Sequence, residues 1–453
     1  MRRLALMLLM SLSFFSAAQD KEAAVKKIYD YTLDSGRAYA DLRVLCKQIG
    51  GRLSGSAAAA AAVEFTRQKM LDYGFDSVWL QEVMVPRWQR GQVCKVLVSS
   101  TKLGSMSLKS CALGGSIGTG PSGISAKVIE VKSLEQLNAL GQAKIKGSIV
   151  FFNGAFDPKE ISTFSAYGKA VGQRWGGAME AAKFGAVAVL VRSMSSEVDD
   201  LPHTGSMGYD SATKKIPAAS ISTLAAEQLS KNLALDPALN VYLEMDCGSA
   251  GEVLSYNVVG ELYGKKPDGP VIVVGGHLDS WDLGEGAHDD GTGCIQSIEA
   301  IRVLKAIGYK PNHRLRAVMF MNEENGLRGG KKYAELAQMN NEKHRFALES
   351  DRGGFTPRGF SFDVRNATEM AQFNGMRQFF SPYGADWFTL GGGGSDIAPL
   401  KANGTICLGF VPDSQRYFKY HHAASDTFEA VDSRELSLGA AAMAAMIYLL
   451  DQL

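Results

Sequence analysis

Pro270-Val271-Ile272-Val273-Val274-Gly275-Gly276-His277-Leu278-Asp279-Ser280, followed a few residues on by Gly286-Ala287-His288-Asp289-Asp290-Gly291, is the densest stretch of the 453-residue chain. Its apolar opening reads as a strand buried on both faces of a parallel sheet. That strand runs straight into a histidine and carboxylates, and strand carboxyl ends are where open α/β sheets bind ligands. The glycines around them let the backbone come close to a bound ion. The same texture recurs downstream: Arg314 to Asn322, Arg345 to Ser350 and Thr405 to Val411 read as further buried strands. Amphipathic helices such as Gly291 to Ile307 separate them, and Arg434 to Leu453 makes a last helix. These alternations predict an α/β fold.

Working back toward the N-terminus, Glu22 to Gln48 has helical apolar spacing. Ser56 can cap a second helix through the alanine run Ala57 to Ala62, Gly74 supplies its stop, and Val78 to Val85 reads as a strand. Glycines 114–120 punctuate the chain, and a compact alternation then runs to about Cys247. Its expected strands are Lys127 to Val131, Ser148 to Asn153, Ala186 to Ser193, Ala218 to Ser222 and Asn240 to Cys247, with helices Ser165 to Phe184 and Thr223 to Asn232. This stretch reads as an inserted domain. The expected division is a signal peptide (1–18), an N-terminal part of the main domain (19–118), the insertion (119–248) and the catalytic part (249–453).

The leader rests on Met1-Arg2-Arg3, the apolar stretch Leu4 to Phe15 and the small residues Ser16-Ala17-Ala18, with cleavage before Gln19. Its apolar part falls short of the roughly 20 residues a spanning helix needs, so the expectation is an exported, secreted or periplasmic protein rather than an anchored one. The length suits two or three folded units. A net charge of +1, from 48 basic and 47 acidic residues, excludes the strongly basic class that binds nucleic acid. Six cysteines without a Cys-x-x-Cys pair exclude a zinc finger. Cys94 and Cys111 could close a loop as a disulfide, or all six could be buried thiols.

Acidic residues also close the later strands: Asn322-Glu323-Glu324-Asn325-Gly326 and Glu349-Ser350-Asp351, with His421-His422-Ala423-Ala424-Ser425-Asp426-Thr427 farther on. Carboxylates in such places are costly to bury unless a cation compensates them. The mixture of imidazole nitrogen and carboxylate oxygen suits zinc.

The motifs, in this order and spacing, resemble the co-catalytic zinc exopeptidases, a family that includes bacterial aminopeptidases, glutamate carboxypeptidases and carboxypeptidase Q-like enzymes. The resemblance runs from about Asp20 to the C-terminus, and the inserted segment resembles a protease-associated domain. It implies a mixed, mostly parallel sheet with helices on both faces and two zinc ions per subunit. Carried over by position, Asp289 bridges the ions, His277 and Asp351 complete one, Glu324 and His422 complete the other, and Glu323 is the general base. His422 is preferred because it lies four residues before Asp426, with His421 the second choice. The resemblance also implies a cis peptide between Asp289 and Asp290, Asp290 standing behind the ligands, and a possible homodimer. His288 departs from the acidic residue common in related aminopeptidases.

Other residues keep two readings. Asp279 either accepts the His277 ring N–H or takes a turn or capping role. Arg174 and His203 match the family at these places and could hold a substrate carboxylate, or they are a surface arginine and a loop histidine. Gly391 to Gly394 line the cleft or form a flexible turn, and His313 and His344, just before strands, are expected in solvent. The functional expectation is a zinc exopeptidase cutting dipeptides or short peptides. The alternatives are an aminopeptidase of broader range and, in another class, a non-catalytic binding protein on the same fold.

Overall fold

The computed structural model describes residues 2–266 and 268–453, those at 2–18 without their side chains. The expected leader, 1–18, therefore lies outside the fully described residues. Among the described residues no helix is long and apolar enough to cross a membrane.

In chain order the strands are β1 (Ser77–Gln89), β2 (Cys94–Ser100), β3 (Gly104–Leu108), β4 (Ser110–Ala112), β5 (Ile124–Val131), β6 (Ile149–Phe152), β7 (Ala188–Arg192) and β8 (Ala218–Ile221). They continue as β9 (Asn240–Met245), β10 (Gly248–Leu262), β11 (Val271–His277), β12 (Arg314–Phe320), β13 (His344–Glu349), β14 (Pro357–Asp363), β15 (Trp387–Leu390) and β16 (Ile406–Pro412). One sheet has the order β1-β10-β12-β11-β13-β16-β14-β15. Its centre, β12-β11-β13-β16, is parallel, while β1, β10 and β14 run antiparallel to a neighbour.

Every residue of β11 is buried, as the unbroken apolar run requires. Successive side chains leave opposite faces of a strand. Ile272 and Val274 therefore join Ile295, Ile298 and Ala441, from helices Thr292–Ala306 and Ser433–Asp451, in one core. Val271 and Val273 join Tyr333 and Ala337, from helix Arg328–Met339, in the other. Each such aliphatic side chain contributes on the order of 1.5–3 kcal/mol when fully buried. Helices thus cover both faces and leave the carboxyl ends of the parallel strands to build a site.

The second sheet, β3-β2-β9-β5-β6-β7-β8-β4, is also mixed, with β5 to β8 parallel. It begins at β2, so residues 94–112 pair with the segment expected as an insertion rather than with the first sheet. These short strands carry serine, lysine and glycine, which hides them from an apolar pattern. The long ribbon partner β10 was also not expected, because its first half is exposed and polar.

Three helix expectations change. The first helix ends at Ser35, resumes as Ala38–Val44 and finishes in a wide turn, Leu45–Ile49. At Gly36 the chain passes so near Thr32 O that a Cβ would stand 2.4 Å from it. The expected helix Ser165 to Phe184 is three short ones, Thr163–Ala170, Gly172–Trp175 and Gly177–Lys183. Helix Leu134–Ile145, capped by Ser133, was missed. His344 is buried instead of solvated, its Nε2 2.8 Å from Tyr333 Oη, and burial pushes its pKa down to about 4. His313 is partly buried with Nδ1 2.8 Å from Asp451 Oδ1. All six cysteines are free, so Cys94 and Cys111 are unbridged.

Candidate active site

Five chain segments bring the suspected residues together at the carboxyl end of the first sheet. β11 ends on His277, and the turn after β12 carries Glu323 and Glu324. Asp351 follows β13, and His422 follows the short helix Tyr417–Tyr420 with a left-handed φ of 63°. Asp289 comes from the tight turn Ala287–Gly291, and its peptide to Asp290 is cis.

His277 Nε2 lies 3.2 Å from Asp289 Oδ1 and 3.4 Å from Asp351 Oδ1. His422 Nε2 lies 3.2 Å from Asp289 Oδ2 and 3.1 Å from Glu324 Oε2. The two oxygens of Asp289 thus face two different imidazoles. Atoms about 2.0–2.2 Å from a tetrahedral ion stand roughly 3.3–3.6 Å apart, close to these spacings. His421 Nε2 is farther from Asp289 Oδ2, at 3.9 Å.

The tautomers point the same way. His277 Nδ1 is 2.9 Å from the carbonyl of Asp279, and His422 Nδ1 is 3.3 Å from that of Thr204. A carbonyl only accepts, so each Nδ1 carries the proton and each Nε2 turns a lone pair toward carboxylates. Asp289 Oδ2, Glu324 Oε1 and Asp351 Oδ1 are buried without a hydrogen bond. Lone pairs and carboxylates facing one another in a dry site need a cation between them, and these donors fit zinc. Burial opposes charge on His422, but without an ion Glu324 and Asp289 hold its pKa up to about 9, so a proton and a cation compete for its Nε2 lone pair. Burial also resists ionising Asp289, but His277 and His422 hold it well below the usual carboxylate range.

Glu323 lines the cleft beside this group, and burial together with Asp351 and Glu324 pushes its pKa well above the ordinary value. What aims it is Asp279. The Asp279 carbonyl, not its carboxylate, takes the His277 ring N–H, while Oδ1 accepts from the backbone N–H of Asn322 at 2.6 Å and Glu323 at 3.0 Å. Asn322 is held at φ 75°, and the clamp fixes the turn that presents both glutamates. Asp290 accepts from the backbone N–H groups of His277 and Gly293, both at 3.0 Å, locking the end of β11 to the segment that follows Asp289.

Asp426, noted in the sequence only as a landmark, accepts from the N–H groups of His288 at 2.7 Å and Asp289 at 3.1 Å. Its residue type and its spacing from His422 were the available signal. His288 stacks on Phe355 with ring centroids 4.1 Å apart, and burial lowers its pKa to about 4, so it adds no charge to the site.

The cleft has a volume of ≈ 730 Å³ and is walled by Phe164, Tyr167, Arg174 and Trp175 from the second-sheet region. This is within the usual range for small-molecule sites. Arg174 is buried rather than on the surface: one Nη donates to Tyr167 Oη at 2.7 Å, while Nε and Nη1 have no acceptor. His203 does not line the cleft; its Nδ1 is 2.7 Å from the His421 carbonyl, and burial lowers its pKa to about 4. Of residues 391–395 only Ser395 lines the cleft, and Gly394 packs so close to Glu349 that a Cβ would meet its carboxyl carbon at 2.2 Å.

The family model described as "Peptidase family M28" matches residues 257–447. Carboxypeptidase Q of Bos taurus is 34% identical over 93% of this chain and 87% of its own length, and that of Xenopus laevis is 35% identical over 91% and 85%. Among solved structures, a peptidase M28 precursor from Shewanella amazonensis superposes with TM-score 0.91 at 30% identity, covering 96% of this chain and 97% of that one. A zinc aminopeptidase from Bacillus subtilis shares the fold, with TM-score 0.66 at 20% identity over 91% and 94%. With this identity over nearly its whole length, the chain belongs to peptidase family M28, with the carboxypeptidase Q proteins as full-length relatives.

Proposed function

We propose that this chain is an exported zinc exopeptidase that hydrolyses dipeptides or short peptides at a pair of metal positions, in the manner its carboxypeptidase Q relatives suggest. The observation that carries this reading is the division of Asp289, whose two oxygens each stand 3.2 Å from a different histidine. His277 and Asp351 would hold one zinc, His422 and Glu324 the other, with Asp289 between them. When bound, the ions act as Lewis acids on the scissile carbonyl and bring the pKa of a bound water to about 7. Glu323 takes no part in holding metal. From its place on the clamped turn it receives the proton of the attacking water and delivers it to the leaving amine.

In this reading the second sheet, residues 94–245, is a protease-associated insertion whose role is to wall the cleft. Arg174 is its contact with substrate. A buried guanidinium with two nitrogens lacking acceptors favours an anionic partner, and the free carboxylate of a peptide supplies one through charge-assisted hydrogen bonds. His203, neutral and outside the lining of the cleft, is given no such role in this reading.

The test is metal analysis paired with a dipeptide panel. The expected result is two zinc equivalents and turnover that is lost on amidating the carboxyl end but kept on acetylating the amino end. Loss on amino blocking alone would favour the aminopeptidase reading. Well under two equivalents with no turnover would leave a binding protein on a peptidase fold.

A further inference from the structure

Trp281 lies on the loop between His277 and Asp289 and packs into the core shared by Trp88 and the second sheet. Its indole is 3% exposed and fills the hollow over Gly114, where a Cβ would stand 1.7 Å from the ring. It meets Trp88 edge-on at 6.3 Å between centroids and the ring of His422 at 5.8 Å. The side chain is therefore locked in one orientation by groups from both sheets.

An indole nitrogen can only donate, and a buried donor left unpaired is costly, yet Trp281 Nε1 has no acceptor among the described residues. Trp281 also lines a pocket of ≈ 10 Å³ with Asp289, Glu324, His422 and Asp426. That is about the room one water molecule takes. Asp289 Oδ2 and Glu324 Oε1 are likewise buried without a hydrogen bond. The indole N–H and Glu324 Oε1 are thus both unmatched and belong to residues around a space for one solvent molecule, while Asp289 Oδ2, which faces His422, keeps a second lone pair. A water there can accept from the indole and donate twice.

We infer that Trp281 is a positioning residue for the His422 metal position: its N–H, relayed by one water in this pocket, orients the Asp289 and Glu324 carboxylates. The inference rests on the di-zinc reading above. It assigns the effect to one of the two positions, because His277 and Asp351 do not line the pocket. Outer partners of metal ligands commonly carry 10–100-fold in affinity.

The experiment compares the wild type with Trp281→Phe and with a protein carrying β-(3-benzothienyl)alanine at 281, which keeps the indole shape and replaces N–H by sulfur. Zinc is titrated into the metal-free protein against a chromogenic chelator, and the visible spectrum of the cobalt-loaded protein is recorded. The expected result is one equivalent weakened about 10-fold, the other unchanged within twofold, and a shifted cobalt band for the weakened position. If Trp281→Phe fails to fold, the isosteric replacement decides. Two equivalents in the wild type, with both affinities unmoved or equally reduced on removing the N–H, overturns this inference alone. Fewer than two equivalents in the wild type overturns the di-zinc reading together with it.

Discussion

Asp289 and Glu323 are both acidic and sit in one site, but their surroundings set them different tasks. Asp289 is fixed from behind, its backbone N–H held by Asp426, and both its oxygens point at imidazoles. Asp289→Asn should lower zinc content and turnover together, read by metal analysis beside a peptidase assay. Glu323 faces the cleft without a histidine at ion-pair distance. Glu323→Gln should cut kcat by about 10²–10⁴ while zinc content stays near that of the wild type, because the change removes proton transfer and not a ligand. Near-normal hydrolysis by that variant would show that another group carries the proton. Asp279 illustrates how far residue type alone can lead. A carboxylate two positions after His277 looks like its hydrogen-bond partner, yet the backbone carbonyl does that work and the side chain clamps another strand's turn.

At the level of strands, the site depends on β12 ending in the right place, and a buried ion network holds its start. Arg316 on β12 donates to Glu261 on β10 at 2.6 Å and to Glu342 at 2.7 Å. Burial opposes charge on Glu342, but Arg316 wins and holds its pKa at about 2. Arg316→Leu removes the buried cation the two carboxylates share and leaves them only Arg314, 2.9 Å from Glu342 and 3.7 Å from Glu261, and the expected loss is about 1.5–3 kcal/mol of unfolding free energy by denaturant titration. A loss under about 1 kcal/mol would show that solvent reaches the network freely. Among the strands read in advance, β11, β12, β13 and β16 are buried runs in a parallel ladder. Those overlooked, β2, β3, β4, β10, β14 and β15, are short or mixed in composition, and all but the edge strand β15 pair antiparallel to a neighbour, so that pairing rather than hydrophobicity makes the strand. The broken helix after Ala170 follows from glycines 172, 176 and 177, the last packed against the ring of Phe152.

Across the whole molecule, buried neutral histidines set the response to acid. His203 and His344 have folded pKa values of about 4, against about 6.5 in the unfolded chain. Between those values the unfolded state binds more protons, so stability rises with pH; it is fully present above about 6.5 and falls as pH drops toward 4. Thermal unfolding should show a midpoint that declines across this window, with a shallower decline in His344→Gln. An equal slope in that variant would remove His344 from the account. The order of strand and acidic terminus could be read along the chain, because buried parallel strands need continuous apolar runs and metal sites need carboxylates at their ends. That these residues would gather at one end of the sheet was also legible once those motifs were read as one constellation. Which oxygen faces which imidazole, why Arg174 lines the cleft while His203 does not, and how Trp281 reaches Gly114 were not. These depend on side chains from segments far apart in sequence meeting in three dimensions, and no local pattern encodes that distance.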